Sequence, residues 1–194
     1  MFSLIIMSGK GLKDTINSNM TKHFYCRLIL LTVLMSIVEA KAFAKTFTVD
    51  GIKYETISET AVMVIQNSPY YSGDITIPAS VNDGINDYSV TTIAYNAFQG
   101  CNINSITIPN TVTSIEYYAF EYCQIGSIVV EEGNPKYDSR GGCNAIIITS
   151  TNTLLKGSNN TVIPNTVTSI ENFAFEYCFG LTSITIPSSV TSIG

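Results

Sequence analysis

The sequence contains almost no histidine: the single one, His23, lies in a segment that we predict is removed from the mature protein. Ser-His-Asp triads, Cys-His pairs and histidine-bound metal sites all need an imidazole. The sequence also lacks a glycine-rich phosphate loop. These absences exclude the common catalytic constellations, so we predict a non-enzymatic protein that needs no cofactor.

Charged residues are few as well, at 13% of the chain, whereas 45% of it is hydrophobic, which is enough to form a folded core. Five of the ten basic residues and two of the fifteen acidic residues precede Lys45, which leaves five basic and thirteen acidic residues, net −8, from there onward. A negatively charged surface repels phosphate backbones and anionic membranes. We therefore predict no nucleic-acid partner.

No apolar stretch is long enough to span a membrane comfortably. The longest, residues 28–38, is about half of the ~20 residues that a spanning helix needs. It follows Lys22 and Arg27 and precedes the small residues Ala42 and Ala44, which is the arrangement of a secretory signal peptide. We predict cleavage after Ala44 and export to the cell surface or the medium; a transmembrane anchor is the alternative.

The C-terminal two thirds of the chain repeats one phrase. Pro-Asn-Thr-Val-Thr-Ser-Ile-Glu occurs verbatim at residues 109–116 and 164–171, and an aromatic residue and Ala-Phe-Glu-Tyr-Cys follow each time. Phe98 and Phe120 are 22 residues apart, and the prolines of the last two copies are 23 apart. A period of this length is typical of stacked repeats.

One unit departs from this period. Cys123 and Cys178 are 55 residues apart, which is one 23-residue unit plus 32, so an irregular unit lies at about residues 131–160. Two apolar runs there, 145–149 and 153–157, predict a hairpin in place of the usual turn. The chain stops at Gly194 in mid-unit, and we expect the array to be truncated at that end.

Within a regular unit, Ser-Ile-Thr-Ile alternates polar and apolar residues and predicts a short strand with inward isoleucines. Val-Thr-Ser-Ile predicts a second extended stretch, with Val112 and Ile115, or Val190 and Ile193, pointing inward. The spacing in Ala-Phe-x-x-Cys predicts a single helical or 3-10 turn. No unit can bury its apolar face alone, so we predict a β-rich solenoid of short parallel strands.

The segment before the repeats predicts a β-hairpin cap, because Asp50-Gly51 lies between two alternating runs and residues 61–65 supply a third strand. We expect translation to start at Met20. The predicted organisation is a non-native extension at 1–19, a signal peptide at 20–44, the hairpin cap at 45–70 and the repeats at 71–194.

These residues resemble the BspA-like class of leucine-rich repeats, whose unit runs approximately Leu-x-x-Ile-x-Ile-Pro-x-x-Val-x-x-Ile-Gly-x-x-Ala-Phe-x-x-Cys. Residues 181–194 follow the pattern, and residues 103–123 follow it with Ile103 at the leucine position and Glu116 where glycine is usual. The resemblance implies a leucine-rich-repeat fold and a surface or secreted protein of a host-associated organism. Some members of the class are adhesins for host matrix proteins or other cells.

Four cysteines remain after the predicted cleavage: Cys101, Cys123, Cys143 and Cys178. Three of them occupy the same position in the repeat, so we predict that they pack as small apolar side chains. A disulfide between Cys101 and Cys123 is the alternative, because export permits oxidation. The recurring carboxylates Glu116, Glu121, Glu171 and Glu176 are predicted to be solvated surface groups.

Two sets of outward residues are candidates for a partner surface. The first is the polar row of the strands, Ser105, Thr107, Ser127, Ser183 and Thr185. The second is the set of aromatic residues that precede the core phenylalanine, Tyr117, Tyr118 and Phe173, because aromatic side chains are frequent binding anchors. The alternative for the hydroxyl row is that it only favours strands and solubility.

The leading hypothesis for function is a monomeric, adhesin-like interaction protein that binds a protein or a glycan, from host matrix or from another cell, through its repeats. Two alternatives remain. The repeats are a non-catalytic targeting region of a larger secreted enzyme, or they are a structural spacer without a partner.

Overall fold

The computed structural model describes residues 44–194, so the predicted extension and all of the predicted signal peptide except Ala44 lie outside the described residues. The described chain is β-rich. It forms fourteen short strands in three sheets, with one 3-10 turn, Arg140–Gly142, as its helical element. The strands are β1 (Thr46–Val49), β2 (Ile52–Thr56), β3 (Ala61–Val64), β4 (Ser72–Thr76), β5 (Ser80–Asn82), β6 (Asp87–Ile93), β7 (Asn102–Ile108), β8 (Ser114–Ile115), β9 (Gln124–Val130), β10 (Tyr137–Asp138), β11 (Ala145–Ile148), β12 (Thr153–Gly157), β13 (Ser169–Ile170) and β14 (Ser192–Ile193).

The N-terminal sheet begins with a β-hairpin. Strands β1 and β2 pair in antiparallel orientation, and Asp50 and Gly51 between them both have a positive φ, 49° and 80°, as a type I′ turn requires. Strand β3 pairs antiparallel with β2 and parallel with β6, and β8 adds to β6 in parallel. The hairpin is therefore continuous with strands of the repeat region.

The second sheet consists of the first strands of successive units, β4, β7 and β9, all parallel. Ile75, Ile106 and Ile128 are in register across the three strands. On β7, the isoleucines are buried and Ser105 and Thr107 are half-buried. The alternation that predicted a strand with inward isoleucines is confirmed here.

The third sheet is mixed and contains the irregular unit. Strands β11 and β12 form an antiparallel pair, which matches the predicted hairpin. Strand β12 then pairs in parallel with β13, and β13 with β14. Strand β12 thus takes the position beside β13 that the Val-Thr-Ser-Ile strand of a regular unit would take.

Asn134 ties the irregular unit to the unit before it. Its Nδ2 donates hydrogen bonds to the carbonyl oxygens of Pro109 and Val112, at 3.1 and 2.8 Å. Its Oδ1 accepts hydrogen bonds from the backbone N–H groups of Lys136 and Tyr137, at 2.9 and 2.8 Å. One side chain therefore satisfies four backbone groups on both sides of the junction.

The Ala-Phe-x-x-Cys segments are single turns with hydrogen bonds of the 3-10 type, in line with the predicted helical or 3-10 turn, although they do not form a helix. In the first of them, the N–H groups of Ala97 and Cys101 donate to the carbonyls three residues earlier, as in a 3-10 turn. Asn96 and Gly100, however, are left-handed, with φ of 57° and 69°. These residues reverse the chain so that the next strand can begin.

The hydrophobic core is formed by residues at equivalent positions of successive units. Phe98 and Phe120, from equivalent turns, stack with their ring centroids 5.3 Å apart and 5° between the planes, and both are buried. Val112 is also buried and Ile115 and Val190 are half-buried, in line with the inward positions predicted for them.

Two features of the last unit differ from the prediction. Residues 183–186 form no strand in the described part of the chain, and Ile186 is 45% exposed. The equivalent residues of the preceding unit, 161–163, form no strand either, so they offer no parallel partner. Ile193, predicted to point inward, is 61% exposed, since it lies on the last rung of the described chain and is covered from one side only.

Candidate aromatic groove

A groove of about 270 Å³ lies between two equivalent turns, residues 116–121 and 171–176. Its floor is formed by Leu155 and Lys156 of β12. The groove exists because the irregular unit passes between the two turns as a strand, without an Ala-Phe turn of its own. We call this feature the aromatic groove.

The aromatic groove brings together the three aromatic residues singled out from the sequence. Tyr117 and Tyr118 line one wall and Phe173 lines the opposite wall, although they are more than fifty residues apart in the chain. Tyr117 is 64% exposed and Phe173 is 59% exposed. The ring centroids of Tyr117 and Tyr118 are 4.1 Å apart, and a hydrogen bond with Tyr117 raises the pKa of Tyr118.

Two of these aromatic residues have a backbone conformation that is unfavourable for bulky side chains. Tyr118 has a φ of 57° and Phe173 a φ of 59°, both left-handed. Asn96 occupies the equivalent position of an earlier turn at the same φ, 57°, where asparagine fits readily. Aromatic residues at this position therefore cost stability relative to the asparagine that the same chain uses elsewhere.

Carboxylates surround the aromatic groove: Glu116, Glu121, Glu171 and Glu176 are all among its lining residues. They are more than the solvated groups that we predicted. The Glu116 carboxylate accepts a hydrogen bond from the N–H of Tyr95 at 2.7 Å, and the Glu121 carboxylate accepts one from the Gln99 amide at 2.5 Å. These glutamates join neighbouring units, and Glu116 and Glu171 remain exposed.

Sequence reasoning missed Lys156, the one cation among the described residues that line the groove. Its side chain is 5% exposed, and its Nζ donates a hydrogen bond to the carbonyl oxygen of Glu176 at 2.9 Å. Burial lowers the pKa of Lys156. The burial of Lys156 could not be predicted from the repeat, because this lysine lies in a hydrophobic run of the irregular unit, outside the repeat pattern.

The hydroxyl row is shorter than predicted. Ser105 is paired with Ser127 across β7 and β9, and its Oγ donates to Oδ1 of Asp74 on β4 at 2.6 Å. Ser183 and Thr185 are not part of this sheet, because residues 183–186 form no strand. The row therefore extends over three strands and includes an acidic residue at its edge.

A second group of exposed aromatic residues was not predicted. Tyr122, Tyr177 and Phe179 form a chain of rings with centroids 5.3 and 5.0 Å apart. All three are exposed. The signal was present in the sequence, since Tyr122 and Tyr177 both belong to the recurring Glu-Tyr-Cys.

The four cysteines are free thiols in the structure. Cys101, Cys123 and Cys143 are buried and Cys178 is half-buried, so they pack in the core as predicted. Burial raises the pKa of the Cys143 and Cys178 thiols, which is the opposite of what a nucleophile needs. Within residues 44–194, no group of three or more His, Cys, Asp or Glu side chains is placed to hold a metal ion.

Ala44, the last residue of the predicted cleavage site, is exposed, and Ala42 lies outside the described residues. Among the helices of the described chain, none has the length and the apolar character needed to cross a membrane.

The parallel pairing of equivalent short strands and the recurring Ala-Phe turns define a β-rich repeat protein of the leucine-rich-repeat kind. The family model of the BspA type leucine-rich repeat region matches residues 80–140 and 151–194, with six copies. The chain belongs to this family, which is in general one of non-catalytic repeats.

Solved structures of bacterial leucine-rich repeat proteins are similar to this chain. One from Eubacterium ventriosum is 24% identical over 62% of this chain, with a TM-score of 0.46, and the match spans 31% of that protein. One from Bacteroides capillosus is 26% identical, covers 77% of this chain and 87% of that one, and has a TM-score of 0.42.

A leucine-rich cell surface protein from Faecalibacterium prausnitzii is 22% identical, covering 77% of this chain and 44% of that one, with a TM-score of 0.43. No curated protein matches the chain.

Proposed function

We propose that this protein is an exported, adhesin-like interaction protein whose repeats stack as a solenoid and which binds a protein partner at the aromatic groove. Membership of a family of repeat proteins supports an interaction role. The parallel pairing of β7 with β9 and of β12 with β13 supports the stacking. The negative charge of the chain from Lys45 onward favours a partner other than nucleic acid.

The observation that carries the proposal is the strained placement of Tyr118 and Phe173. Both adopt a left-handed conformation that costs about 1 kcal/mol or more for a bulky residue. Asn96 shows that the fold does not require an aromatic side chain there. Strain of this kind is typical of functional sites. Tyr122 and Tyr177 are left-handed as well, but of these four aromatic residues only Tyr118 and Phe173 line the groove.

The test compares binding with stability in the same variants. Purified protein is passed over immobilised extracellular-matrix proteins and mucin glycans, and the binders are tested again with Tyr118→Asn and Phe173→Asn. We expect binding to weaken at least about tenfold, as for a buried aromatic anchor. The melting temperature should stay the same or rise, because asparagine relieves the backbone strain.

Tyr70→Ser is the matched control, since Tyr70 is exposed and lies outside the groove. A binder that is unaffected by both asparagine variants but lost with Tyr177→Ser or Ser105→Lys would assign binding to another surface and refute the groove. Binding to no member of the panel would favour the structural spacer. A targeting role for a larger enzyme predicts binding to that enzyme's polymeric substrate instead.

A further inference from the structure

The aromatic groove combines aromatic walls with carboxylates on both sides. Glu116 flanks it on the side of Tyr117, and Glu171 flanks it on the side of Phe173. The two glutamates occupy equivalent positions of their units and are exposed. A group that enters between the rings is therefore close to negative charge from either wall.

The cation in the lining does not neutralise this field. Lys156 lies in the floor, and its Nζ is hydrogen-bonded to the Glu176 carbonyl. Four glutamates thus line the groove beside one ammonium that already has a partner. The carboxylates of Glu116, Glu121 and Glu176 accept hydrogen bonds only from neutral groups, so their negative charge is not neutralised. The groove is complementary to an additional positive charge.

The volume of the groove limits the size of the positively charged group that can enter it. Its volume of about 270 Å³ is below the ~300–1,000 Å³ typical of sites that enclose a small-molecule ligand. A space of this volume between two turns accommodates one long side chain. The open side faces solvent, so the rest of the ligand stays outside.

Arginine fits this combination better than lysine does. Its planar guanidinium stacks on aromatic rings and pairs with carboxylates through two parallel hydrogen bonds. Rings on both walls and carboxylates on both rims offer both contacts at once. From this charge and shape complementarity we infer that the aromatic groove receives an arginine side chain presented by a segment of the protein partner. This inference rests on the proposed function, because it specifies the partner's chemistry at the same site.

The probe is the peptide acetyl-Gly-Gly-Arg-Gly-Gly-amide, titrated into the full purified protein and followed by NMR through the ring signals of Tyr117 and Phe173. The matched peptide carries citrulline, which has the same shape as arginine without its charge. We expect saturable shifts with the arginine peptide and about tenfold weaker binding of the citrulline peptide, as expected when a cation over aromatic rings loses its charge. Raising the salt concentration should weaken the arginine peptide only.

The protein variant is Glu116→Gln with Glu171→Gln. Glutamine keeps an oxygen that can accept the hydrogen bond from Tyr95, so the fold should be retained. We expect the double variant to bind the arginine peptide about tenfold more weakly and to lose the preference over citrulline. Glu131→Gln with Glu132→Gln removes the same charge outside the groove and should leave binding unchanged.

Equal binding of the arginine and citrulline peptides, undiminished binding by the groove variant, or no binding of the arginine peptide at all would each overturn the inference. The proposed function is judged separately. If a matrix protein still loses affinity with Phe173→Asn while the arginine peptide does not bind, the groove binds a partner of other chemistry. If the peptide binds but no partner depends on the groove, the proposed function fails and the arginine site stands.

Discussion

Phe98 and Phe120 illustrate how single residues carry the repeat. Each comes from an equivalent turn, and their rings stack almost in parallel in the core. The ring of one unit is thus the packing surface for the next. Replacing either phenylalanine by a smaller residue therefore removes the packing contact between the two units.

Truncating Phe120 to alanine should lower the free energy of unfolding by about 3–5 kcal/mol, because the buried ring leaves a cavity beside Phe98. Urea denaturation monitored by circular dichroism measures this loss. Phe179→Ala is the control, since Phe179 is 75% exposed and should change stability by less than about 0.5 kcal/mol. Equal effects of the two substitutions would contradict the inward position of Phe120.

Lys156 should give the protein a distinctive pH dependence. Burial lowers its pKa below the ordinary 10.5, so between the lowered pKa and 10.5 the unfolded chain binds more protons than the folded chain. Stability from this group therefore rises as the pH increases through that window. The groups near the Lys156 ammonium are Cys123, Cys178 and Glu176.

The measurement is urea denaturation at a series of pH values from 7 to 10.5 on the natural protein and on Lys156→Met. Burial raises the pKa of Cys178, which opposes the lysine within the same range, so the difference between the two proteins is the informative quantity. We expect the natural protein to gain stability relative to the variant as the pH rises. A difference that does not change with pH would mean that Lys156 titrates as if exposed.

Predictability from sequence differs between these residues for a physical reason. The burial of Phe120 follows from periodicity, because equivalent residues of stacked units share one environment. The left-handed φ of Tyr118 follows the repeat as well, since Asn96 and Phe173 at the equivalent positions share it. The burial of Lys156 does not follow from periodicity, because Lys156 lies in the unit that breaks the period.

At the scale of elements, whether a predicted strand forms depends on the strands beside it. The phrase at residues 104–115 forms β7, whereas the nearly identical phrase at 182–193 forms no strand at its Ser-Ile-Thr-Ile. A short parallel strand exists through hydrogen bonds to adjacent strands, and β7 lies between β4 and β9. Local sequence predicts where a strand is possible, and the stacking of units decides whether it forms.

The junction with the irregular unit should depend on Asn134. Replacing it by alanine leaves the carbonyls of Pro109 and Val112 without their donor and removes the acceptor for two N–H groups. We expect a loss of roughly 2–4 kcal/mol in the free energy of unfolding, as for several hydrogen bonds to partly buried groups.

The control is Asn165→Ala, at an exposed position of a regular unit, which should be nearly neutral. Hydrogen exchange adds a local readout: protection of β10 and β11 should fall with Asn134→Ala before that of β7. Unchanged protection of β10 and β11 would show that the strand pairing alone holds the junction.

At the scale of the whole molecule, the aromatic groove is a product of irregularity. The three aromatic residues were predicted from the sequence as anchors, but their common site was not. Tyr117 and Phe173 line the same groove because strand β12, and not a third turn, lies between their turns. A regular array would have put a third turn there and closed the gap. The departure from the period, which supplies β12 as the partner strand of β13, is also what positions the proposed site.

The predicted export of the protein bears on its first strand. The backbone N–H of Lys45 donates to Oγ1 of Thr56 at 2.9 Å, and its Nζ lies 2.7 Å from Oδ2 of Asp83. Cleavage after Ala44 would turn that N–H into an α-ammonium group, which can still donate to the Thr56 hydroxyl. The mature terminus is therefore compatible with the contacts that Lys45 makes.

We expect the exported protein to begin at Lys45, which intact-mass measurement of the secreted product from a bacterial host would establish. Ala42→Asp with Ala44→Asp should block processing, because signal peptidase requires small residues at those positions. Tyr70→Ser, a change at an exposed site outside the predicted signal peptide, should be processed normally. A natural chain that stays in the membrane fraction with residues 20–44 attached would instead support the transmembrane anchor, and would place the aromatic groove at the cell surface without release.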